Sequence, residues 1–428
     1  MHRRLIFLHA RRSPNVIPLL ALLLDFAAAP AAAQDLRQMW PQWRGPTRDS
    51  RYHGEPWPDS IAGDRIAPLW RVEGLGPSYS GAIVTDALVY TTATVEARDE
   101  VVTAHDRKTG ERRWEARWPG SMTVKPVGAA AGDWIKATPA YDGRSLYVAG
   151  MRDVLVCLDA ATGEERWRVD FMERYNNPIP ELGFICSPMV IGDSVYVQAA
   201  DSLVCVDKET GESRWRVLIR DALGHGAYSS PEFAVFHGRP QVLVATIPAI
   251  HGVDPVTGEI LWRAEIDSQV AGCVLAPIPY RDSIFTSSRA SRTGLYKVEM
   301  NGPEGSIVTK TWSNRVTIYL SNPVIVGDYA YAHLRNRRMT CIDLRTGEDK
   351  WITPPDYDDY MSTIVQGDRL LTLSNAGVLR LIRANPEEFE LLESRAMSED
   401  AQTWGHLALA GREMFIREQD ALAAYVWR

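Results

Sequence analysis

A nine-residue phrase, Asp-x-x-Thr-Gly-Glu-x-x-Trp, occurs five times in this 428-residue chain. The first four copies follow one another at intervals of 47 to 53 residues, and the last follows after 89. Because 89 residues is close to two periods of about 45, we expect a degenerate copy in this gap, and residues 296–312 carry one. The chain is therefore built from copies of one supersecondary unit. The turn residues of the five copies are Asp106 and Gly110, Asp159 and Gly163, Asp207 and Gly211, Asp254 and Gly258, and Asp343 and Gly347.

Short apolar runs of strand type precede each copy of the phrase. Residues 194–197 and 203–206 are examples, and Gly-Asp or Asp-Gly turns precede many of these runs. Helical periodicity is absent, and a period of about 45 residues with about four strands is typical of a propeller blade. The sequence predicts an all-β fold, an eight-bladed β-propeller of four-stranded antiparallel blades. The units begin near Ser78, Lys136, Cys186, Ser229, Val274, Ser321, Ser362 and Trp404.

The two ends of the repeat region predict how the ring closes. The eighth unit, residues 407–428, is too short for four strands. Residues 66–73 have the pattern of an outer strand, including Trp70, but no blade precedes them. We expect this N-terminal strand to complete the last blade, because closure hides strand edges that would otherwise stay unpaired.

The phrase itself indicates a turn followed by a packing residue. Asp accepts hydrogen bonds from the turn backbone, and Gly supplies the positive φ that closes a bulged hairpin. The tryptophan then falls on the outer strand, where its ring can cover the next blade. Stacking on a ligand is the alternative, but a fixed register in every blade favours packing. The predicted blade wedges are Trp70, Trp114, Trp167, Trp215, Trp262, Trp312 and Trp351.

The first 33 residues have the layout of a cleavable export signal. Two arginine pairs precede the apolar stretch 16–29, and three alanines follow it. A retained membrane anchor is the alternative, but the stretch is shorter than the roughly 20 residues that a spanning helix needs. We expect a signal peptide at 1–33, an N-terminal extension at 34–65 and the propeller at 66–428. This predicts an exported protein, periplasmic or extracellular in a bacterium, with no membrane anchor after cleavage and with the export route left open.

The formal net charge is −7, and no basic run occurs outside the extreme N-terminus. Nucleic acid is therefore excluded as a partner, and we expect a monomer. The five cysteines form no metal-ligand spacing. Three of them share one repeat position and are expected to fill the core. Cys186 and Cys273 lie near blade entrances, and the sequence leaves open whether they are exposed and whether they pair.

Polar segments stand where each blade begins, on the loops that line one face of a propeller. They predict a rim that binds a polar ligand or a peptide, with the alternative that these residues only start strands. Two long insertions, residues 118–134 and 175–184, should cover the same face. No group of carboxylates at matching positions indicates a metal site. The candidate rim residues are Tyr79, Lys136, Tyr228, Ser229, Asn322, Tyr360 and His406.

The repeated phrase resembles the repeat of the pyrroloquinoline-quinone (PQQ) enzyme-like propellers, and residues 40–46, Trp-Pro-Gln-Trp-Arg-Gly-Pro, resemble the opening of exported bacterial members. The family includes quinoprotein alcohol dehydrogenases, which bind PQQ and a metal ion over the funnel, and BamB-like scaffolds without cofactor. The chain lacks the adjacent cysteine pair and the Cys-x-x-Cys-His haem site of the dehydrogenases. Its first cysteine is Cys157, so the lipid anchor of BamB-like members is not expected.

The resemblance implies a non-catalytic binding or scaffold propeller that presents one loop-rich rim to a protein, another envelope component or a polar ligand. No cofactor and no catalytic residue is predicted. The alternative is a PQQ-dependent dehydrogenase that oxidises an alcohol or sugar at the funnel, with calcium bound and with Lys136 beside the quinone.

Overall fold

The computed structural model describes residues 38–124, 132–218, 228–246, 249–266, 275–287, 292–300, 306–398 and 402–428. The predicted signal peptide and Cys273 lie outside this part. The described residues form eight four-stranded antiparallel sheets, with a 3₁₀ turn at Gly63–Arg65 and one short helix, α1, at Phe171–Tyr175. The predicted eight-bladed propeller is confirmed.

Each blade takes its strands in sequence order, from the inner strand at the channel to the outer strand. The chain enters the ring with β1 (Ile66–Glu73). Blades 1 and 2 contain β2 (Ile83–Val84), β3 (Leu88–Val95), β4 (Asp99–Asp106) and β5 (Arg112–Pro119), then β6 (Ala140–Tyr141), β7 (Ser145–Gly150), β8 (Val154–Asp159) and β9 (Glu165–Asp170). Blades 3 and 4 contain β10 (Met189–Ile191), β11 (Ser194–Ala199), β12 (Ser202–Asp207) and β13 (Ser213–Leu218), then β14 (Glu232–Phe236), β15 (Arg239–Ala245), β16 (Ala249–Val253) and β17 (Ile260–Glu265).

The remaining blades follow the same order, except that the last one takes its outer strand from the start of the chain. Blades 5 and 6 contain β18 (Ile278–Tyr280), β19 (Ser283–Thr286), β20 (Thr293–Met300) and β21 (Ser306–Asn314), then β22 (Val324–Val326), β23 (Tyr329–His333), β24 (Met339–Asp343) and β25 (Asp349–Ile352). Blades 7 and 8 contain β26 (Met361–Gln366), β27 (Arg369–Ser374), β28 (Val378–Arg383) and β29 (Glu390–Ala396), then β30 (Ala408–Ala410), β31 (Glu413–Arg417), β32 (Ala421–Trp427) and β1.

The alternating strand direction gives the ring two different faces. The connections between blades and the turns between second and third strands lie on one side, which we call the entrance face. The turns between first and second and between third and fourth strands lie on the other, the turn face. The second and third strands are almost wholly buried, as in β11 and β12, because neighbouring blades cover both of their sides.

The repeated phrase builds the same turn in all five copies. The amide of each glycine donates to the carbonyl of the aspartate, and the glycine φ lies between +72° and +78°. In the first copy, Asp106 Oδ1 also accepts from the amides of Lys108 and Thr109, both at 3.0 Å. Side chain and backbone of one aspartate thus fix the turn.

The indoles of six of the seven wedge tryptophans reach the next blade. Each Nε1 donates to a backbone carbonyl of the next blade, in the turn between the third and fourth strands of that blade, at 2.8 to 3.2 Å. In five of these junctions the ring also covers the turn glycine of the next blade. The six are Trp70, Trp114, Trp167, Trp215, Trp312 and Trp351.

Trp262 departs from the predicted pattern. Its Nε1 donates to Gln241 Oε1 of its own blade at 2.6 Å, although the ring shares a hydrophobic cluster with Tyr296 and Val298 of blade 5. The phrase is missing from blade 5, where residues 301–305 lie outside the described part. Without the repeated turn in front of it, the indole takes a partner within its own sheet.

The ring is closed by pairing between the two ends of the propeller. Strand β1 pairs antiparallel with β32, as predicted, with Ile66 opposite Trp427 and Glu73 opposite Ala421. Two buried arginines reinforce this junction from opposite faces. Arg107 of blade 1 donates to the carbonyl of Ala410, and Arg417 of blade 8 donates to five acceptor groups around blade 1 and its own turn.

The described cysteines are free and buried. Cys157, Cys205 and Cys341 lie in third strands within the blade cores, as expected. The side chain of Cys186, whose exposure the sequence left open, is fully buried, and its Sγ accepts the backbone amide of Gln198 at 3.2 Å. The connection into blade 3 turns Cys186 inward, because the backbone amide of the next residue, Ser187, donates to Ser230 of blade 4.

Candidate functional site: the entrance face and the central channel

Residues 40–52, which we call the plug, lie along the inner strands of the ring. Trp40 pairs with Val84 of blade 1 through two backbone hydrogen bonds of 2.8 and 3.0 Å. At the other end, Ser50 and Tyr52 form backbone hydrogen bonds with Val365 of blade 7, both at 2.9 Å. The plug thus covers the free inner edges of blades 1 and 7.

The middle of the plug places a buried charge cluster at the centre of the ring. Arg44 Nη1 donates to Glu232 Oε1 of blade 4 at 2.8 Å. Arg48 donates to the carbonyls that precede blades 3 and 4, at Pro188 and Pro231, and its Nε lies 3.9 Å from Glu232 Oε2. Burial raises the pKa of Glu232 and lowers that of Arg48. Two guanidinium groups therefore share one carboxylate.

Trp43 stabilises the remaining positive charge. The guanidinium carbons of Arg44 and Arg48 lie 5.3 and 5.2 Å from its ring centroid, which is within cation–π range. His406 contacts the same ring edge-on at 5.8 Å. Burial and the nearby Arg44 lower the pKa of His406 to about 3, so its imidazole is neutral at physiological pH.

Several candidate rim residues are engaged in contacts between blades. The amide of Ala276 donates to Asn322 Oδ1 at 3.0 Å, and Ser229 Oγ donates to the carbonyl of Leu275 at 2.9 Å. Both side chains are buried, as are those of Tyr228 and His406. Five other hydroxyl groups join neighbouring blades by accepting a backbone amide. The hydroxyl and amide pairs are Thr138 and Gly81, Ser187 and Thr138, Ser230 and Ser187, Ser321 and Met361, and Ser362 and Leu407.

The structure brings Tyr79 and Tyr360 together with two tryptophans on the entrance face. Trp404 stacks between them, with its ring 5.0 Å from Tyr79 and 5.6 Å from Tyr360. Trp134 contacts Tyr79 edge-on at 5.4 Å. These four residues, which we call the aromatic cluster, come from the entrances of blades 1, 2, 7 and 8. Tyr79, Trp134 and Trp404 are partly exposed, and Tyr360 is buried.

Lys136 lies beside this cluster with its amine turned inward. Its Nζ donates to the carbonyls of Gly132 and Trp134 at 2.9 and 3.2 Å. Burial lowers the pKa of the amine to about 8, and Asp133 and Glu100 partly oppose this shift. The side chain therefore both orders the loop that carries Trp134 and places a cation near the cluster.

Sequence reasoning missed the charged residues of the channel and of the entrance turns. Arg44 and Arg48 stand in the opening segment 40–46 and just beyond it, but nothing in the sequence pairs them with Glu232. Glu100 and Asp153 are buried carboxylates at the turns between second and third strands. A carboxylate at the start of an otherwise apolar third strand was the available signal.

Metal-ligating side chains are not clustered among the described residues. Calcium takes six to eight oxygen ligands, but no group of three or more His, Cys, Asp or Glu among the described residues could hold a metal ion. The carboxylate at the channel centre, Glu232, is shared by two arginines of the plug. In addition, none of the helices described is long and apolar enough to span a membrane.

The fold and the repeated turn define a propeller of the PQQ-like repeat class, as the resemblance implied. The family described as outer membrane protein assembly factor BamB matches residues 98–353, and the chain belongs to this family. It is similar to the outer membrane protein assembly factor BamB of Yersinia pestis, with 22% identity over 324 residues that cover 70% of this chain and 78% of the relative.

Two solved structures have the same fold. BamB from Moraxella catarrhalis superimposes with a TM-score of 0.60 at 13% identity, covering 85% of this chain and 98% of that one. The quinohemoprotein alcohol dehydrogenase from Comamonas testosteroni gives 0.62 at 13% identity, covering 92% and 81%. At such identities the likeness shows the fold alone and does not choose between scaffold and enzyme.

Proposed function

We propose that this protein is an exported, non-catalytic scaffold that presents its entrance face to a protein partner of the bacterial envelope. Membership of the BamB family supports the class, since its relative is an outer membrane protein assembly factor. The aromatic cluster supports the entrance face as the binding surface, because four blades contribute to it and it is partly exposed. Interfaces concentrate their binding energy in such aromatic groups within a polar rim.

The surroundings of the cluster favour a polypeptide partner. Trp404 Nε1 donates to Gln402 Oε1, and Lys136 and Asp133 lie at the neighbouring blade entrance. Aromatic edges, an amide and charges of both signs match the mixed chemistry of a protein surface better than that of a uniform polyanion. The plug bonds to the inner strands of blades 1, 4 and 7, so we expect a partner to contact the rim rather than thread the ring.

Export and monomeric state belong to the same proposal. Cleavage after residue 33 would release a chain that begins at Gln34. Intact-mass analysis of the protein recovered from the periplasm tests this, and a retained N-terminus would contradict it. Light scattering of the purified mature chain tests the monomer.

Site-specific photo-crosslinking tests the binding face. A photoreactive phenylalanine analogue replaces Tyr79 or Trp404 on the entrance face, and Lys108 on the turn face serves as the matched control. We expect both entrance variants to crosslink the same envelope protein in envelope extract and the control to give none. With that protein purified, Trp404→Ala should weaken binding by about tenfold or more, and Lys108→Ala should leave it unchanged. Equal crosslinking from both faces would overturn the assignment of the face.

The dehydrogenase alternative has its own measurement. Purified mature protein is mixed with PQQ and calcium and assayed with an electron-accepting dye and a panel of alcohols and sugars. We expect no turnover and no binding of the quinone, because the described channel residues do not offer a metal-ligand set. Saturable quinone binding with dye reduction would overturn the scaffold proposal.

A further inference from the structure

Blades 1 and 2 are joined on the entrance face by a buried carboxylate. Glu100, at the start of β4, is fully buried. Its Oε1 accepts the amide of Met151 in blade 2 at 2.5 Å, and its Oε2 accepts Trp118 Nε1 at 2.8 Å. Glycines flank the carboxylate: a Cβ built on Gly120 or Gly150 would lie 2.4 or 2.1 Å from Oε2. The site is therefore shaped to hold this group against the next blade.

Blades 2 and 3 are joined by the same device. Asp153, in the corresponding turn of blade 2, is 4% exposed. Its Oδ2 accepts the amide of Ala200, in the corresponding turn of blade 3, at 2.8 Å. Its backbone has a φ of +57°, and its carbonyl accepts the amide of Phe171 at 3.0 Å. Two successive junctions thus each rest on a carboxylate that bonds the next entrance turn.

Neither carboxylate has an ion-pair partner among the described residues. The charges that face Glu100 are Arg168, whose guanidinium stacks on Trp118 at 5.5 Å, and Lys136, whose amine donates to carbonyl groups. The charges that face Asp153 are two further carboxylates, Asp201 and Asp170. Burial raises the pKa of Glu100 and of Asp153 to about 7 in each case, and the two neighbouring carboxylates add to the shift of Asp153.

We propose that the seam formed by Glu100, Met151, Asp153 and Ala200 is a pH-sensitive element of the entrance face. In the acid form both groups are neutral and tolerate burial. Ionisation places a charge on each of two dry carboxylates that no described residue pairs directly, and separation of the turns lets water reach them. Raising the pH through neutrality therefore loosens the contact between the first three blades. The inference rests on this seam and not on the proposed function.

The next junction supplies a control without a titrating group. Between blades 3 and 4 the side-chain Nε2 of Gln198 donates to the carbonyl of Ala245 at 3.0 Å. Nearer the channel, the backbone amide of Ser187 donates to Ser230 Oγ of blade 4 at 2.9 Å. These contacts have no reason to change between pH 5.5 and 8.5.

Amide hydrogen exchange of the mature protein tests the proposal, with rates corrected for the intrinsic effect of pH. We expect protection of the Met151 and Ala200 amides to fall by about tenfold or more between pH 5.5 and 8.5, while that of the Ser187 amide stays constant. Constant protection at all three amides would overturn the proposal. This wild-type profile decides the question even if a variant fails to fold.

Two variants assign the effect to individual groups. Glu100→Gln should abolish the pH dependence at Met151 and leave that at Ala200, and Asp153→Asn should do the reverse. Asp207→Asn, in an exposed turn on the opposite face, is the matched control and should leave both unchanged. If Glu100→Gln left the pH dependence at Met151 intact, this carboxylate would not be the titrating group.

Discussion

The indole of Trp114 lies directly on Gly163, so that a Cβ built on the glycine would be 2.5 Å from the ring. The same pairing recurs at Trp70 and Gly110 and at three further junctions. Each glycine therefore serves two purposes, since it closes its own turn at positive φ and leaves space for the wedge of the preceding blade. The repeated phrase therefore specifies both a local turn and the contact of its glycine with the tryptophan of the preceding blade.

Replacement of this glycine should cost more than its backbone conformation alone. Gly163→Ala combines a φ of +77° with a clash against Trp114, and we expect a loss of about 3 kcal/mol in the free energy of unfolding. Gly192→Ala is the matched control, because its φ is +57° and its Cβ would contact nothing within 4 Å, so about 1 kcal/mol should be lost. Urea unfolding measures both. Equal losses would show that the indole yields without cost.

The stability of the buried charge cluster should depend on Glu232, the carboxylate that blade 4 provides to the two arginines of the plug. Glu232→Gln leaves the two buried guanidinium groups of Arg44 and Arg48 without a counter-charge, and we expect a loss of about 3 kcal/mol or more. Glu259→Gln removes an exposed carboxylate 3.8 Å from Arg239 and should change stability by less than about 0.5 kcal/mol. Chemical denaturation compares the two. A small effect at Glu232 would mean that Trp43 alone balances the charge.

Closure of the ring should depend on Arg417. Its guanidinium donates to Thr91 Oγ1 and to the carbonyls of Gly76 and Thr92, and it is 1% exposed. Arg417→Met leaves these acceptors unsatisfied, so we expect a loss of about 3 kcal/mol and faster amide exchange in β1 and β32. The exposed Arg412, 3.3 Å from Glu55, supplies the control Arg412→Met, which should have almost no effect. Unchanged exchange in β1 would contradict this role.

Acid should destabilise the channel through His406. Burial lowers the pKa of His406 in the folded protein to about 3. The neutral imidazole therefore contributes fully to the free energy of unfolding above the ordinary histidine pKa of about 6.5, and this contribution is lost as the pH falls below that value. Between pH 6.5 and 5 the loss should be about 2 kcal/mol. His406→Phe keeps a ring against Trp43 and should remove this slope.

The carboxylates of the entrance seam titrate in the opposite sense, so the informative quantity is the difference between variant and parent at each pH. The exposed His53 provides the control His53→Phe, whose profile should follow the parent. If His406→Phe did the same, protonation of His406 would not govern acid stability.

The repeat alone predicted the architecture. Turn residues such as Asp106 and Gly110, the wedge position and the closing strand at 66–73 are local or nearest-neighbour features, repeated at a fixed spacing, and such features are legible in a sequence. Of the candidate rim residues, Tyr79 and Tyr360 lie in the aromatic cluster, whereas Ser229 and Asn322 are buried blade tethers, and binding at the rim stays a prediction.

Tertiary structure decided what fills and joins the ring. The pair of Arg44 with Glu232 spans 188 positions and belongs to no repeat, so nothing in the spacing predicts it. The burial of Glu100, the inward turn of Cys186 and the altered partner of Trp262 likewise depend on which neighbour a blade meets. A repeat specifies what its copies share, and the singular contacts at the channel and seams arise only when the ring closes and brings distant residues together.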